Sequence, residues 1–424
     1  MRLQARTLGR YGVDAAPARP RRRDAAGQER RPALIPSRVT VVAALGSTQT
    51  LAWASSYYLP AILGAPIAEA LGLSPSAFFA IFSIALLLSA ALGPAVGRII
   101  DRHGGRGMLV ASNLVLAVAL ALLARAQGIV GLVVAWIPLG AGITMGLYDP
   151  AFATLTRLYG HGARGSITGI TLIAGFASTI GWPVSAFMLQ HYGWREACLV
   201  WAALNLFVCL PVNFLLIPKA PPAPPLPRAE DGGEDLAEPP RGAMPVLAFF
   251  FSAAWFVTGA MAAHLPRLLE AAGATSTEAV AAAALVGPAQ VAARLVEFGL
   301  MRRLHPLISA RIAAVMHPLG AVFLGALGPF GVVAFALLHG AGNGMITIAK
   351  GTLPLAIFGP HGFGLRSGVL SAPARITQSA APFLFGLLLD DVGLGAVALS
   401  AGLMIAAFAS LFALRSRTAA AAPI

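Results

Sequence analysis

Five ionisable residues stand where an apolar chain has no obvious use for them. Arg294 and Glu297 lie within ALVGPAQVAARLVEFGL, residues 284–300. Asp149 follows GAGITMGLY, Lys350 sits in TIAKGTL and Arg375 in SAPARITQS. An ionised side chain at the centre of a hydrocarbon layer costs at least about 2.5–3.5 kcal/mol on insertion scales. Residues that carry this cost normally face protein or water, and they mark sites. A guanidinium suits the capture of a carboxylate, because its planar donors bind both oxygens at once and it stays charged. Arg294, Lys350 and Arg375, set against the acids Asp149 and Glu297, leave one positive charge over, which favours an anionic ligand. For Arg294 the bland alternatives are an ion pair with Glu297, three residues along a helix, and snorkelling toward the interface.

The elements that must hold these charges follow from composition. The chain has 424 residues, of which 57% are hydrophobic and 11% charged, and its mean hydropathy is +0.76. Soluble domains carry about 25% charged residues, so the solvent implied here is lipid. A spanning helix needs roughly 20 apolar residues. Twelve such runs are present: 39–63, 76–97, 107–127, 129–156, 165–189, 195–217, 243–266, 277–300, 308–328, 329–358, 367–389 and 392–414. Continuous runs, rather than ten-residue alternating ones, point to helices and not a barrel.

Lys and Arg accumulate in cytoplasmic loops. With the N-terminus inside, 24 of the 30 basic residues fall on the cytoplasmic side, three (Arg125, Arg195, Arg267) outside, and Arg294, Lys350 and Arg375 within spans. Both termini are therefore expected in the cytoplasm. The net charge of +13 reads as topology and contact with anionic lipid, not as nucleic-acid binding. The Arg-rich tail lacks the apolar segment of a signal peptide. Cys198 and Cys209 share one run, roughly 16 Å apart on a helix, too far for a disulfide. No metal-ligand spacing, phosphate loop or nucleophile motif is present, so neither a cofactor nor an enzyme is expected. Lysine is scarce, with only Lys219 and Lys350, while Ala and Arg are abundant, which suggests a GC-rich bacterial genome and hence the bacterial inner membrane.

The chain divides into two. PKAPPAPPLPRAEDGGEDLAEPPRG, residues 218–242, is too rich in Pro and acid to pack a core. The expected organisation is a disordered tail (1–38), a six-helix bundle (39–217), this linker (218–242), a second six-helix bundle (243–415) and a short tail (416–424). GAGITM at 140–145 recurs as GAGNGM at 340–345, and GPA at 93–95 recurs at 287–289. Pro183 with Gly193 has a counterpart in Pro382 with Gly393. Repeats of this kind mark secondary transporters, with the substrate site at mid-membrane between the halves.

The first cytoplasmic loop reads GRIIDRHGGR, residues 97–106. It resembles the loop signature of the major facilitator superfamily through Gly97, Asp101, Arg102, Gly104 and Arg106. Gly105 stands where many members have another Arg. The matching loop of the second half, GLMRRLHP, keeps Gly299 and the basic pair but has no Asp. The resemblance implies an all-α membrane protein of twelve transmembrane helices in two pseudo-symmetric six-helix bundles, with this loop latching the halves. Gly97 allows close helix approach and Gly104 a tight turn, while Asp101 suits a helix N-terminus. AGFASTIGWPVSAFMLQHYGWR (174–195) and LYDPAFATLTRLYG (147–160) resemble bacterial monocarboxylate and oxalate/formate exchangers.

In that superfamily spans one, four, seven and ten line the cavity, so Asp149 and Lys350 are expected at similar depth on opposite halves. A bridge between them would close the cytoplasmic side; the local rival is a bridge from Asp149 to Arg102 or Arg106. In the resembled exchangers basic residues on spans eight and eleven grip the anion, a role that falls to Arg294 and Arg375. Ser56, Tyr57 and Tyr58 in WASSYYLP suit a cavity lining; Tyr57 and Tyr58 project about 100° apart on a helix, so one of them faces inward. His317, His339, Asn343 and Gln378 are softer polar candidates. The expected activity is transport of a small organic anion by proton symport or exchange. The alternative, efflux of a hydrophobic compound, calls for a cavity dominated by acids.

Overall fold

Backbone groups in hydrocarbon need partners within their own segment, and each apolar run satisfies this as helix. The structure, a computed structural model, describes residues 36–220, 240 and 242–414, and no strand occurs among them. The expected N-terminal tail (to residue 35), most of the 218–242 linker and the C-terminal tail lie outside the described residues.

Among the described residues, twelve spans are built from seventeen α-helices. In the first half, span 1 is α1 (Arg38–Ser55) and α2 (Leu59–Ala70), span 2 is α3 (Pro75–His103), and span 3 is α4 (Arg106–Ala124). Span 4 is α5 (Gly128–Gly146) and α6 (Tyr148–Tyr159), and span 5 is α7 (Ala163–Ala174) and α8 (Ala177–Tyr192). Span 6 joins α9 (Trp194–Leu204) to α10 (Leu210–Leu216) through a π-helical turn. In the second half, span 7 is α11 (Ala243–Ala271), span 8 is α12 (Ser276–Ala284) and α13 (Val286–Gly299), and span 9 is α14 (Pro306–Leu327). Spans 10 to 12 are α15 (Val332–Phe358), α16 (Phe363–Val392) and α17 (Ala396–Ser410). Among the described residues, eight helical stretches are long and apolar enough to cross a bilayer; three of these, of 65, 53 and 51 residues, each hold two spans. Span 1 is interrupted at Ser56–Tyr58.

The surface matches an apolar solvent. Phe207, Leu215, Val322 and Phe383 are each more than 60% exposed. In water such a surface would drive association; in a bilayer it is the lipid contact. The second-half core is drawn wholly from residues 243–414 and centres on Phe250, Phe251, Phe335 and Phe385. In the first half Phe78, Trp136 and Trp201 fill the equivalent space.

The GAG repeat has a packing meaning. A Cβ on Gly140 would come within 2.6 Å of the Ala85 carbonyl, and one on Gly142 within 2.7 Å of Leu116. In the second half a Cβ on Gly340 would come within 2.6 Å of the Val286 carbonyl, and one on Gly342 within 2.9 Å of that of Ala313. Spans 4 and 10 therefore nest against spans 2 and 3 and spans 8 and 9 through the same glycines. The GPA repeat is not used alike: Gly93 packs on Gly368, whereas Gly287 faces open space.

Candidate functional site

The site is set by breaks in helices. Span 4 stops at Leu147, whose backbone is extended (φ −85°, ψ −156°). The Gly146 carbonyl at the break accepts a hydrogen bond from Gln49 Nε2 on span 1, at 2.5 Å. Helix then restarts, which puts Asp149 in the first turn of α6, where the helix dipole favours a carboxylate. Pro150 fits the same turn, because its missing N–H would have no intrahelical partner there. Span 1 breaks at Ser56–Tyr58, with Pro60 in the first turn of α2. A ladder of amides runs from Asn213 to Asn113 (2.8 Å) and from Asn205 to Ser55 (2.9 Å), tying the break to spans 3 and 6.

Asp149 is the hub. Lys350 Nζ lies 2.8 Å from its Oδ1, and Arg375 Nη2 donates to its Oδ2 at 3.1 Å. Arg375 Nη1 also donates to Ser89 Oγ, which is hydrogen-bonded to Thr144 Oγ1 at 2.6 Å. Lys350 Nζ sits 5.4 Å from the centre of the Trp255 ring. Side-chain exposure is 12% for Asp149, 9% for Lys350 and 11% for Arg375. One acid of the first half thus holds two cations of the second. A cavity of ≈ 10 Å³ beside Asp149 and Arg375, between α3 and α16, has room for about one water. The bridge to Arg102 or Arg106 does not form. Asp149 is taken by Lys350 and Arg375, Arg102 is exposed, and Arg106 instead stacks on Phe214 at 4.5 Å.

Arg294 is 5% exposed. Its Nε donates to the Gly344 carbonyl and its Nη2 to Gln290 Oε1, both at 3.4 Å. Nη1 has no hydrogen-bond partner and lies against Gly175, at the break in span 5, where a Cβ would collide with it. The ion pair with Glu297 does not form. Glu297 is turned to Arg164 on α7 (3.4 Å) and accepts from Ser309 Oγ (3.1 Å). This changes the charge count: with Glu297 occupied at the span 5–span 8 contact, Asp149 stands alone against Arg294, Lys350 and Arg375, and the surplus is two positive charges.

Tyr57 and Tyr58 fall at the break of span 1, so both reach the interior. Tyr57 Oη accepts from Gln378 Nε2 at 2.6 Å, across the two halves. Tyr58 packs on Trp182 of span 5, 6.0 Å between centroids. The rule of 100° between neighbours assumed an unbroken helix.

The 97–106 loop closes on α16. Asp101 accepts from the backbone N–H of Gly364 and Leu365, both at 2.8 Å. The residue before α16 is Gly362, which has no capping side chain, so Asp101 caps this helix from the other half. A Cβ on Gly97 would fall on the Gly364 carbonyl, and one on Gly105 on the Thr154 side chain. The second contact explains why no Arg occupies position 105. Gly104 turns the chain at φ +80°. Arg164 completes the closure by donating to the Leu304 carbonyl at 2.6 Å. Sequence reasoning missed Gln49, Ser89, Trp255 and Gly175; only the buried polarity of Gln49 and Ser89 marks them out. His317 and His339 bond to each other (3.0 Å) inside the second half, and Asn343 bonds to Thr258 (3.0 Å).

Similarity to known proteins agrees with this architecture. Residues 45–338, more than half the chain, match the family model of the Major Facilitator Superfamily. No curated protein matches the sequence. Among solved structures, the human organic anion transporter MFSD10 (TETRAN) superposes with a TM-score of 0.67 at 15% identity, covering 89% of this chain and 100% of that one. A variant of the Escherichia coli fucose:proton symporter FucP gives 0.66 at 17% identity, covering 90% and 100%. FucP in its outward conformation gives 0.68 at 14% identity, covering 89% and 100%. The chain belongs to the Major Facilitator Superfamily and is a multi-pass membrane transporter.

Proposed function

We propose that the protein is a secondary transporter of a small organic anion, a carboxylate, working by alternating access with proton coupling or exchange. The observation that carries this reading is the buried, unpaired nitrogen of Arg294, together with a cluster in which two cations share one acid. A carboxylate entering between the halves finds a bidentate donor at Arg294. It also competes with Asp149 for Lys350 and Arg375. Once Asp149 loses these partners, or takes up a proton, the bridge between halves opens. The Asp101 cap and the Arg164 contacts then hold the closure alone. Glu297 acts at that contact, as the anchor of Arg164.

The hydrogen bonds and ion pairs named between the halves lie at the 97–106 end or at mid-span. The basic-residue bias supports a cytoplasmic placement of that end and of both termini, in a bacterial inner membrane. In this orientation the state described here is closed to the cytoplasm. The two-bundle organisation, with residues 218–242 as linker, fits the separate cores. Resemblance to monocarboxylate and oxalate/formate exchangers fits the cations on spans 8 and 11. The test is uptake of labelled carboxylates by proteoliposomes, with and without an imposed pH gradient. Accumulation that Arg294→Ala abolishes supports the proposal. Transport of lipophilic cations with no carboxylate flux would favour drug efflux by proton antiport instead.

A further inference from the structure

We infer that the hydrogen bond between Tyr57 and Gln378 is the gate on the far side of the charge cluster. A substrate approaching Asp149, Lys350 and Arg375 from the end opposite the 97–106 loop has to break it. This rests on the alternating-access reading above and holds for a substrate of any charge. α16 changes partners along its length. Its first part is tied to the first half: Asp101 caps Gly364 and Leu365, Gly368 packs on Gly93, and Arg375 binds Ser89 and Asp149. Gln378 Nε2 then donates to Tyr57 Oη at 2.6 Å. Beyond Gln378 the side-chain ties of α16 to other helices, among the described residues, run to α11 of its own half. The Pro382 carbonyl accepts from His264 Nε2 at 2.7 Å, Gly386 lies against the same ring, and Asp390 pairs with Arg267 at 2.6 Å. Tyr57–Gln378 is thus the last hydrogen bond from α16 to the first half. It stands three residues, roughly 4.5 Å of helix, beyond Arg375.

Both partners sit where a helix is weakened. Pro382 lies inside α16 and has no N–H, so the Gln378 carbonyl loses its helical hydrogen bond. That carbonyl faces Gly259 of α11, where a Cβ would come within 2.9 Å of it. Tyr57 lies in the interruption between α1 and α2. The outer segments, α2 and the end of α16, can therefore move while α1 and the start of α16 keep their contacts. The acceptor is held in place by its ring. Tyr57 meets Trp53, Tyr58 and Phe82 edge-on, at 5.3, 5.6 and 5.8 Å between centroids, the geometry that aromatic pairs favour. A fixed hydroxyl on one half thus meets an amide at the proline kink of the other.

The experiment is labelling of Thr144→Cys with a membrane-impermeant maleimide, in spheroplasts and in inverted vesicles. Thr144 is 3% exposed and lines the cavity beside Asp149 and Arg375, and the native cysteines are buried. Arg102→Cys, at an exposed loop position, reports which preparation presents the loop, so an inverted orientation is told apart from a failed gate. A net hydrogen bond of ordinary strength predicts that Tyr57→Phe and Gln378→Leu each speed labelling of Thr144→Cys about two- to tenfold from the side away from the loop. From the loop side the rate is expected to stay unchanged. The double variant is expected to be no faster than the faster single one, since both remove the same bond. Each single variant tests the bond alone if the other fails to fold. Unchanged rates from the far side, acceleration from the loop side only, or effects that multiply in the double variant would overturn the inference. No carboxylate enters the assay, so the anion reading stands or falls separately.

Discussion

Replacing Asp149 with Asn removes the carboxylate that meets Lys350 at 2.8 Å and Arg375 at 3.1 Å. The amide is nearly isosteric, so packing is kept and charge alone is lost. Taking one partner from a buried pair costs about 3–5 kcal/mol, because the other charge stays buried. The cost falls on the state that holds the bridge. At about 1.4 kcal/mol per tenfold, the closed state loses roughly two to three and a half powers of ten against the open one. Val96 reads this out, since it is buried at the cavity beside Asp149, between α3 and α16. The two native cysteines, Cys198 and Cys209, are buried, so maleimide labelling of Val96→Cys reports opening over a low background. Adding Asp149→Asn is expected to raise the labelling rate at least 100-fold, or to that of a fully accessible thiol if this is lower. Asp149→Glu is expected to restore much of the protection. A rate within threefold of the Val96→Cys parent would refute the argument that this ion pair holds the halves together.

Gly97→Ala puts a methyl group against the Gly364 carbonyl; it is expected to cost about 1–3 kcal/mol, as overpacking does, and to lower the Tm, while Gly107→Ala, where a Cβ meets nothing within 4 Å, leaves it unchanged. Asp101→Ala deletes both bonds to the first turn of α16. With charge-assisted bonds worth about 1.5–3 kcal/mol, faster labelling of Val96→Cys is expected, and an unchanged rate would remove the trans cap from the account. Gln49→Leu strands the Gly146 carbonyl at the break in span 4; a loss of about 1–3 kcal/mol should appear as a lower Tm, and full stability would mean that the break needs no support from span 1.

The spans were legible because the bilayer imposes one rule along the whole chain: an apolar run of membrane length has to be helix. The GAG repeat was legible as symmetry, and its glycines prove to nest spans 4 and 10 in like places. What the sequence hid was local discontinuity. Nothing in a hydropathy profile separates an unbroken span from one interrupted at Ser56–Tyr58, Leu147 or Gly175, because the residues on either side remain apolar. These interruptions position the candidate residues. They turn Tyr57 and Tyr58 inward together, set Asp149 on a helix N-terminus and make room for Arg294 beside Gly175. The pairing of charges was also beyond sequence reach. Glu297 is three residues from Arg294, so proximity along the helix favoured a pair that tertiary packing replaces with Arg164. The latch was half legible: its loop could be recognised, but the helix end that Asp101 caps lies more than 260 positions away.

The central claim is that Arg294 is held unpaired to receive an anion. Isothermal titration of wild type, Arg294→Gln and Arg294→Lys with the carboxylate that binds wild type most tightly addresses it directly. Losing one partner of a buried, hydrogen-bonded charge pair costs about 2–5 kcal/mol, so Arg294→Gln should weaken binding at least about 30-fold. Arg294→Lys should fall between, since it keeps the charge and loses the fork. Affinities within twofold across all three proteins would contradict the account and leave Arg294 a residue of packing alone.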